Sequence, residues 1–174
     1  PSPYQFYQYF INVEDADVEA YLKMLTVLDL DDIRAIVRRH DEERGLRHAQ
    51  RVLADEVTAW VHSRSAAAAA EHVSRILFGE AITADTPKAA LELLAREVPT
   101  SEVTRGDLAN GLPVLDALVQ TGLANSRGAA RRLAEQGGVY VNNQRFSDVG
   151  GRLTAAHLTH GKLIFLRAGK KNYH

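Results

Sequence analysis

Over residues 1–98 one pattern recurs: apolar side chains three and four residues apart, interrupted by short polar breaks that begin or end helices. That spacing lines one face of a helix and commits the segment to packing helix on helix. In SPYQFYQYFI, Ser2 is expected to cap a helix and Pro3 to hold its first position. The dense aromatics Tyr4, Phe6, Tyr7, Tyr9 and Phe10 are expected to pack on later helices, with part of the set left exposed. Val18, Tyr21, Leu22 and Leu25 form the next stripe, then Ile33, Ile36 and Val37, then Ala49, Val52, Leu53, Val57 and Trp60. An alanine-rich stretch from Ser65 to Gly79 is expected to be a plain helix. Another is expected from Pro87, capped by Thr86.

The helical period lapses around PTSEVTRGDLANGLP, where Pro99, Gly106, Gly111 and Pro113 punctuate the chain. We place a linker at residues 99–111, between a domain at 1–98 and another at 112–174. Past it the sequence predicts two short helices, VLDALVQTG and SRGAARRLAEQG, a strand VYV, a turn at Asn142-Asn143, and a final strand KLIFLRA covered on both faces. A basic tail, GKKNYH, follows. The fold class is therefore a mainly α helical bundle followed by a small α+β domain, two helices on a short antiparallel sheet.

Charge separates the same two parts. Residues 1–110 carry 12 Lys/Arg against 19 Asp/Glu, whereas residues 111–174 carry 9 against 3. An acid-poor, basic segment points to an anionic partner: RNA, DNA or a membrane surface. Within it, Arg127, Arg131 and Arg132 fall on one helical arc of about 140°, opposite Ala129, Ala130, Leu133 and Ala134. Ser126 is placed to cap that helix, and Gly137-Gly138 to end it. Three arginines on an exposed helix also describe an ordinary solvated face. Acid depletion across the whole segment favours phosphate, which the planar guanidinium fork binds through two oxygens at once. Arg145, Arg167, Lys170 and Lys171 are electrostatic additions to that surface, and Tyr140 and Asn142 alternate along the strand beside it.

The stretch GLANSRGAARRLAEQGGVYVNNQRFSD resembles the RNA-binding module first defined in the fourth small-subunit ribosomal protein. Where that module usually has glycine after the strand's asparagine, this chain has Asn143, which tolerates left-handed geometry. Upstream, SPYQFYQYFINVEDADVEAYLKMLTVLDL is similar to the stretch after the ATP-binding loop of bacterial tyrosyl-tRNA synthetases, and AQRVLADEVTAWVHS and LFG to their helical anticodon-binding domain. The resemblance runs collinearly over essentially the whole chain.

It implies a tRNA-binding C-terminal part that positions tyrosine tRNA for a catalytic domain. That domain's His-Ile-Gly-His-like and Lys-Met-Ser-Lys-Ser-like signatures do not occur in this sequence. ATP and tyrosine are expected only there; no catalytic residue and no cofactor are expected here, and the piece alone is expected to be inactive. The resemblance carries RNA contact over to Ser126, Arg127, Arg131, Arg132, Tyr140 and Asn142, near the long variable arm and anticodon stem. A stand-alone factor for ribosomal RNA, or a module binding an acidic protein, are the alternatives. The parent family is expected to dimerise through the catalytic domain, and this chain to be monomeric. Without cysteine there are no disulfides or thiolate metal sites. His157 and His160 lack a third ligand nearby in sequence, so no metal is expected. With no secretory signal layout and no run of about 18 apolar residues, a cytoplasmic location and no membrane partner are expected.

Overall fold

A computed structural model describes residues 1–174, which divide into two compact units, Pro1–Ser74 and Arg75–His174. The first contains α1 (Pro3–Ile11), α2 (Asp15–Leu25), α3 (Leu30–Glu42) and α4 (His48–Val61), and the division falls within α5 (Arg64–Leu77). The Ser2 cap forms in full: its hydroxyl accepts from the Gln5 amide while the Gln5 side chain reaches back to the Ser2 amide. Helix α4 is the hub, with α1, α2 and α3 all packed against it. Its Ala49, Leu53 and Val57 are buried, as are Tyr7 and Phe10 of α1, Val18 and Leu22 of α2, and Ile33 of α3.

Two expected core residues are exposed. Trp60 is 81% exposed and Leu25 38%, each in the last turn of its helix, where the apolar stripe outruns its cover. Of the α1 aromatics, Tyr7 and Phe10 are buried, Phe6 is half-buried against Phe10 and His62, and Tyr9 stands 64% exposed.

Polar groups close the gap between α1 and α2. Arg47 donates to the Ile11 and Val13 carbonyls at 2.8 and 2.9 Å, satisfying acceptors that the end of α1 leaves open. Gln50 donates to the Asp15 carboxylate at 2.7 Å, and His40 Nε2 lies 3.0 Å from it. The Gln50 amide holds the Asp15 carboxyl below its ordinary value; desolvation opposes it, and the His40 contact adds to the lowering. Asp55 of α4 has the opposite fate. Burial, with Glu71 nearby, pushes it up to about 6, although the Tyr7 hydroxyl donates to it.

The second unit contains α6 (Lys88–Glu97), α7 (Arg105–Asn110), β1 (Leu112–Pro113), α8 (Val114–Gln120), α9 (Arg127–Glu135), β2 (Val139–Val141), β3 (Gln144–Arg145), β4 (Arg152–Leu153), β5 (Leu166–Ala168) and β6 (Asn172–Tyr173). An antiparallel sheet has the order β3-β2-β5-β6, and β1 pairs separately with β4. Val114 and Leu118 of α8 and Ala130 and Ala134 of α9 form one core with Val139, Val141 and Leu166 of the sheet. The expected class, helices followed by a small α+β arrangement, is the one observed.

Several elements differ from their sequence-based description. The punctuated stretch 99–111 lies inside the second unit and holds α7, capped by a reciprocal Thr104–Asp107 box. Helix α6 starts one residue later than expected, with Pro87 at its cap, because the Thr86 hydroxyl accepts from Thr83 instead. The KLIFLRA segment is a strand only over Leu166–Ala168, and one of its faces carries the half-exposed Arg167. The basic tail folds back as the edge strand β6, leaving Lys170 and Lys171 exposed in the connecting turn.

The β2–β3 hairpin depends on its two turn residues. Asn142 and Asn143 sit at φ 52° and 59°, the left-handed pair that a two-residue hairpin of favourable twist requires. Both side chains are occupied. Asn142 donates to the His157 carbonyl at 2.8 Å and accepts from the Phe165 amide at 3.0 Å. Asn143 donates to the Ile76 and Glu80 carbonyls at 2.7 and 2.8 Å and accepts from Arg167 Nε at 2.9 Å. The hairpin is thus tied to the last turn of α5 and the loop after it, where the Ile82 amide also donates to the Asn142 carbonyl at 3.0 Å.

Two outcomes follow for stability. Asp55 has a folded pKa of about 6 against an ordinary 3.8, so the folded state holds its proton more tightly. Its contribution is full below the ordinary value and fades as pH rises through about 6. Thermal unfolding of Asp55→Asn should therefore show a gain over the parent chain that is larger at pH 7 than at pH 4.5; an equal or reversed difference contradicts the assignment. Asn143→Ala should destabilise the second unit by about 2–3 kcal/mol through the absence of buried hydrogen bonds and through left-handed strain, read from its amide signals in urea. Asn143→Gly should recover only the strain. A loss below about 0.5 kcal/mol for alanine would remove the anchoring role.

Candidate RNA-binding surface

Helix α9 is built to show cations. Ser126 is extended at φ −160° and its Oγ accepts from the Ala129 amide at 3.1 Å, fixing the first turn. Ala130 and Ala134 are buried, which turns Ser126, Arg127, Arg131, Arg132 and Glu135 to solvent. Arg127 is partly neutralised by Asp116 of α8 at 3.4 Å. Arg132 folds back towards the first turn, its Nη1 nearest the position a Cβ would take on Gly128. Arg131 and Arg132 make no ion pair and stand free for an external anion.

The helix ends in a Schellman motif: Gly138 donates to the Leu133 carbonyl and Gly137 to the Ala134 carbonyl, each at 2.9 Å. Gly137 has φ 72°, and a Cβ there would meet the Arg145 guanidinium at 3.2 Å. A Cβ on Gly138 would meet Leu133 Cδ1 at 2.6 Å. The two glycines thus let the chain turn into β2 at once and let Arg145 lie against the C-terminal end of α9, where the helix dipole favours a cation.

Strand register does the rest. Tyr140 pairs with Arg145 on one side and Arg167 on the other, and Arg167 pairs with Tyr173. One face of the sheet therefore carries the row Arg145–Tyr140–Arg167–Tyr173, while Val139, Val141, Leu166 and Ala168 of the intervening positions are buried on the other. Arg167 Cζ lies 3.7 Å from the Tyr140 ring centroid, and its guanidinium is held by Asn143 and by the Gly169 carbonyl at 3.2 Å. A hydrogen bond from Arg145 is the main reason the Tyr140 phenol sits below its ordinary value, helped by the charges of Arg145 and Arg167.

The structure thus joins Tyr140, Arg145 and Arg167 in one row, with Arg145 linking that row to α9. It sets Lys170 and Lys171 in the neighbouring β5–β6 turn. Asn142 differs: both polar atoms of its side chain are engaged within the protein, which gives it a structural role. Sequence reasoning missed Asn143, which orients Arg167. The signal was available, since a second asparagine in a turn that glycine would satisfy implies a use for the side chain.

A cleft of about 410 Å³ opens beside β3, its lining including Gln144, Arg145, Phe146, Ala156, His157 and Thr159. His157 Nδ1 accepts the Thr154 amide at 3.0 Å, and His160 Nε2 lies 2.7 Å from the Thr86 carbonyl. Both histidines are thereby tied to backbone groups. No helix is long and apolar enough to cross a membrane.

Comparison with known proteins gives the chain's family. Residues 90–174 match the family model "Tyrosine--tRNA ligase SYY-like C-terminal domain" and residues 1–79 match "tRNA synthetases class I (W and Y)". The tyrosine–tRNA ligase of Roseiflexus castenholzii is 41% identical over 177 residues, covering 99% of this chain and 41% of that protein. That of Corynebacterium jeikeium is 42% identical over 172 residues, covering 99% and 39%. A C-terminally truncated mitochondrial tyrosyl-tRNA synthetase from Aspergillus nidulans aligns at 35% identity and TM-score 0.43, over 44% of this chain and 23% of its own. The chain spans about two fifths of the length of the curated relatives it matches. It belongs to the tyrosine–tRNA ligase family, and its residues 90–174 correspond to the C-terminal domain of that family.

Proposed function

We propose that this chain is the tRNA-binding portion of a tyrosine–tRNA ligase. It positions tyrosine tRNA for aminoacylation by a catalytic domain outside this sequence, where ATP and tyrosine bind. The observation that carries the reading is the guanidinium face of α9, with Arg131 and Arg132 free of internal ion pairs, continued through Arg145 into the Arg145–Tyr140–Arg167 row. A helix face and a sheet face joined by one arginine follow a curved phosphate backbone better than either alone. Positioning, not bond-making, is what these groups perform.

The cationic groups divide by rigidity. Arg131 and Arg132 are exposed and free to follow phosphates, so they supply affinity. Arg167 is fixed by Asn143, Gly169 and the Tyr140 ring, so it sets where the RNA lies. Lys170 and Lys171 extend the cationic field past the sheet. The full ligase acts in the cytoplasm as a dimer assembled through its catalytic domain, and this portion alone is monomeric.

Titration of tyrosine tRNA against the chain at several salt concentrations tests the proposal. The expected result is preference over other tRNAs and a steep salt dependence. Arg131→Ala with Arg132→Ala should reduce the slope magnitude by about 2, one for each phosphate left without its arginine. An unchanged slope would turn α9 away from the RNA. Separately, Arg145→Ala should move the Tyr140 ionisation, followed by ultraviolet absorbance, back up towards 10.0; no movement would break the link between helix and row.

A further inference from the structure

The cleft beside β3 contains chemistry that phosphate binding does not use. Phe146 and His157 meet edge to face, ring centroids 6.1 Å apart at 66°, and form its aromatic side. The His157 tautomer is set by the backbone: Nδ1 accepts the Thr154 amide, so the ring proton of the neutral imidazole resides on Nε2. That Nε2–H has no partner within the protein. Gln144 is exposed, and its side-chain amide, a donor and an acceptor, makes no hydrogen bond either.

The lining also includes two small, exposed side chains, Ala84 and Ala156. The volume, about 410 Å³, lies within the range of about 300–1,000 Å³ usual for small-ligand sites. An aromatic face, one obligatory donor, one two-way amide and a guanidinium form the set that recognises an unstacked base and its phosphate.

We propose that this cleft is a nucleotide subsite: it takes one unpaired, splayed-out nucleotide of the bound RNA, the base against His157 and hydrogen-bonded by Nε2–H and Gln144, its phosphate towards Arg145. The assignment rests on the tRNA-binding reading for its source of nucleotide, but its chemistry is testable without tRNA. Stacking one base strengthens binding about tenfold, enough to fix register along a backbone that the arginines alone would let slide.

The test uses the full 174-residue chain and two small probes, adenosine 5′-monophosphate and inorganic phosphate, followed by the ring signals of His157 and Phe146. The nucleotide should shift both rings saturably, and phosphate should leave them in place. Ala156→Trp should fill the cleft and abolish the nucleotide shifts; Ala84→Leu, at another lining position, serves if the tryptophan variant does not fold. In tyrosine-tRNA titrations the filled variant should bind about tenfold more weakly with an unchanged salt slope. Rings unmoved by the nucleotide, or moved equally by phosphate, overturn the subsite whatever the tRNA result. A chain that takes the nucleotide but no tRNA overturns the tRNA reading and leaves the cleft a nucleotide site.

Discussion

The second unit depends on two side-chain amides. Its sheet is made of strands two or three residues long, too few ladder bonds to define a rigid surface by themselves. Asn142 and Asn143 supply what the ladder lacks. One amide joins β2 to the His157 and Phe165 backbone, and the other joins the hairpin to the carbonyls that end α5. A glycine at either position would adopt the same backbone geometry and provide none of these bonds.

From that anchor the functional face follows in order. Asn143 Oδ1 takes Arg167 Nε, which holds the guanidinium over Tyr140; Tyr140 in turn receives Arg145, and Arg145 rests on Gly137 at the end of α9. Like charges placed so close would repel in a flexible arrangement. Here the electron-rich ring and phenol oxygen between them absorb part of that cost. The row can therefore keep two arginines on the strands either side of β2 without an internal acid, leaving its net charge for a partner.

How much of this was legible in the sequence varies with the kind of signal. Helix periods, the Ser2 and Ser126 caps and the Gly137-Gly138 exit were readable because each is local, set by residues within one turn of another. The arginine face of α9 was readable for the same reason. The two-residue pairing of β1 with β4 was not, since so short a strand has no period and exists only through its partner. Trp60 misled because a stripe tells which side of a helix is apolar, not how far the neighbouring helices reach along it. The use of Asn142 was hidden differently: its hydrogen-bond partners, at residues 157 and 165, are distant in sequence. Alternation along a strand shows which face a side chain leaves from, and cannot show that the amide then turns inward.

The contrast between pinned and free cations bears on how such a surface discriminates among similar RNAs. Phosphate charge is the same on every tRNA, so in the proposed role the exposed Arg131 and Arg132 would raise affinity for all of them alike. Discrimination needs groups whose positions cost something to change. Arg167, tied through Asn143 to the end of α5, is such a group, because moving it breaks hydrogen bonds made by a turn that is itself buried. A tRNA whose backbone fits the fixed guanidinium keeps those bonds, whereas one that does not must disrupt them or forgo the interaction. On the proposed tRNA-binding role, selectivity in this unit would come from how firmly its ordered cation is held, and the exposed ones would set the strength on which that selectivity acts.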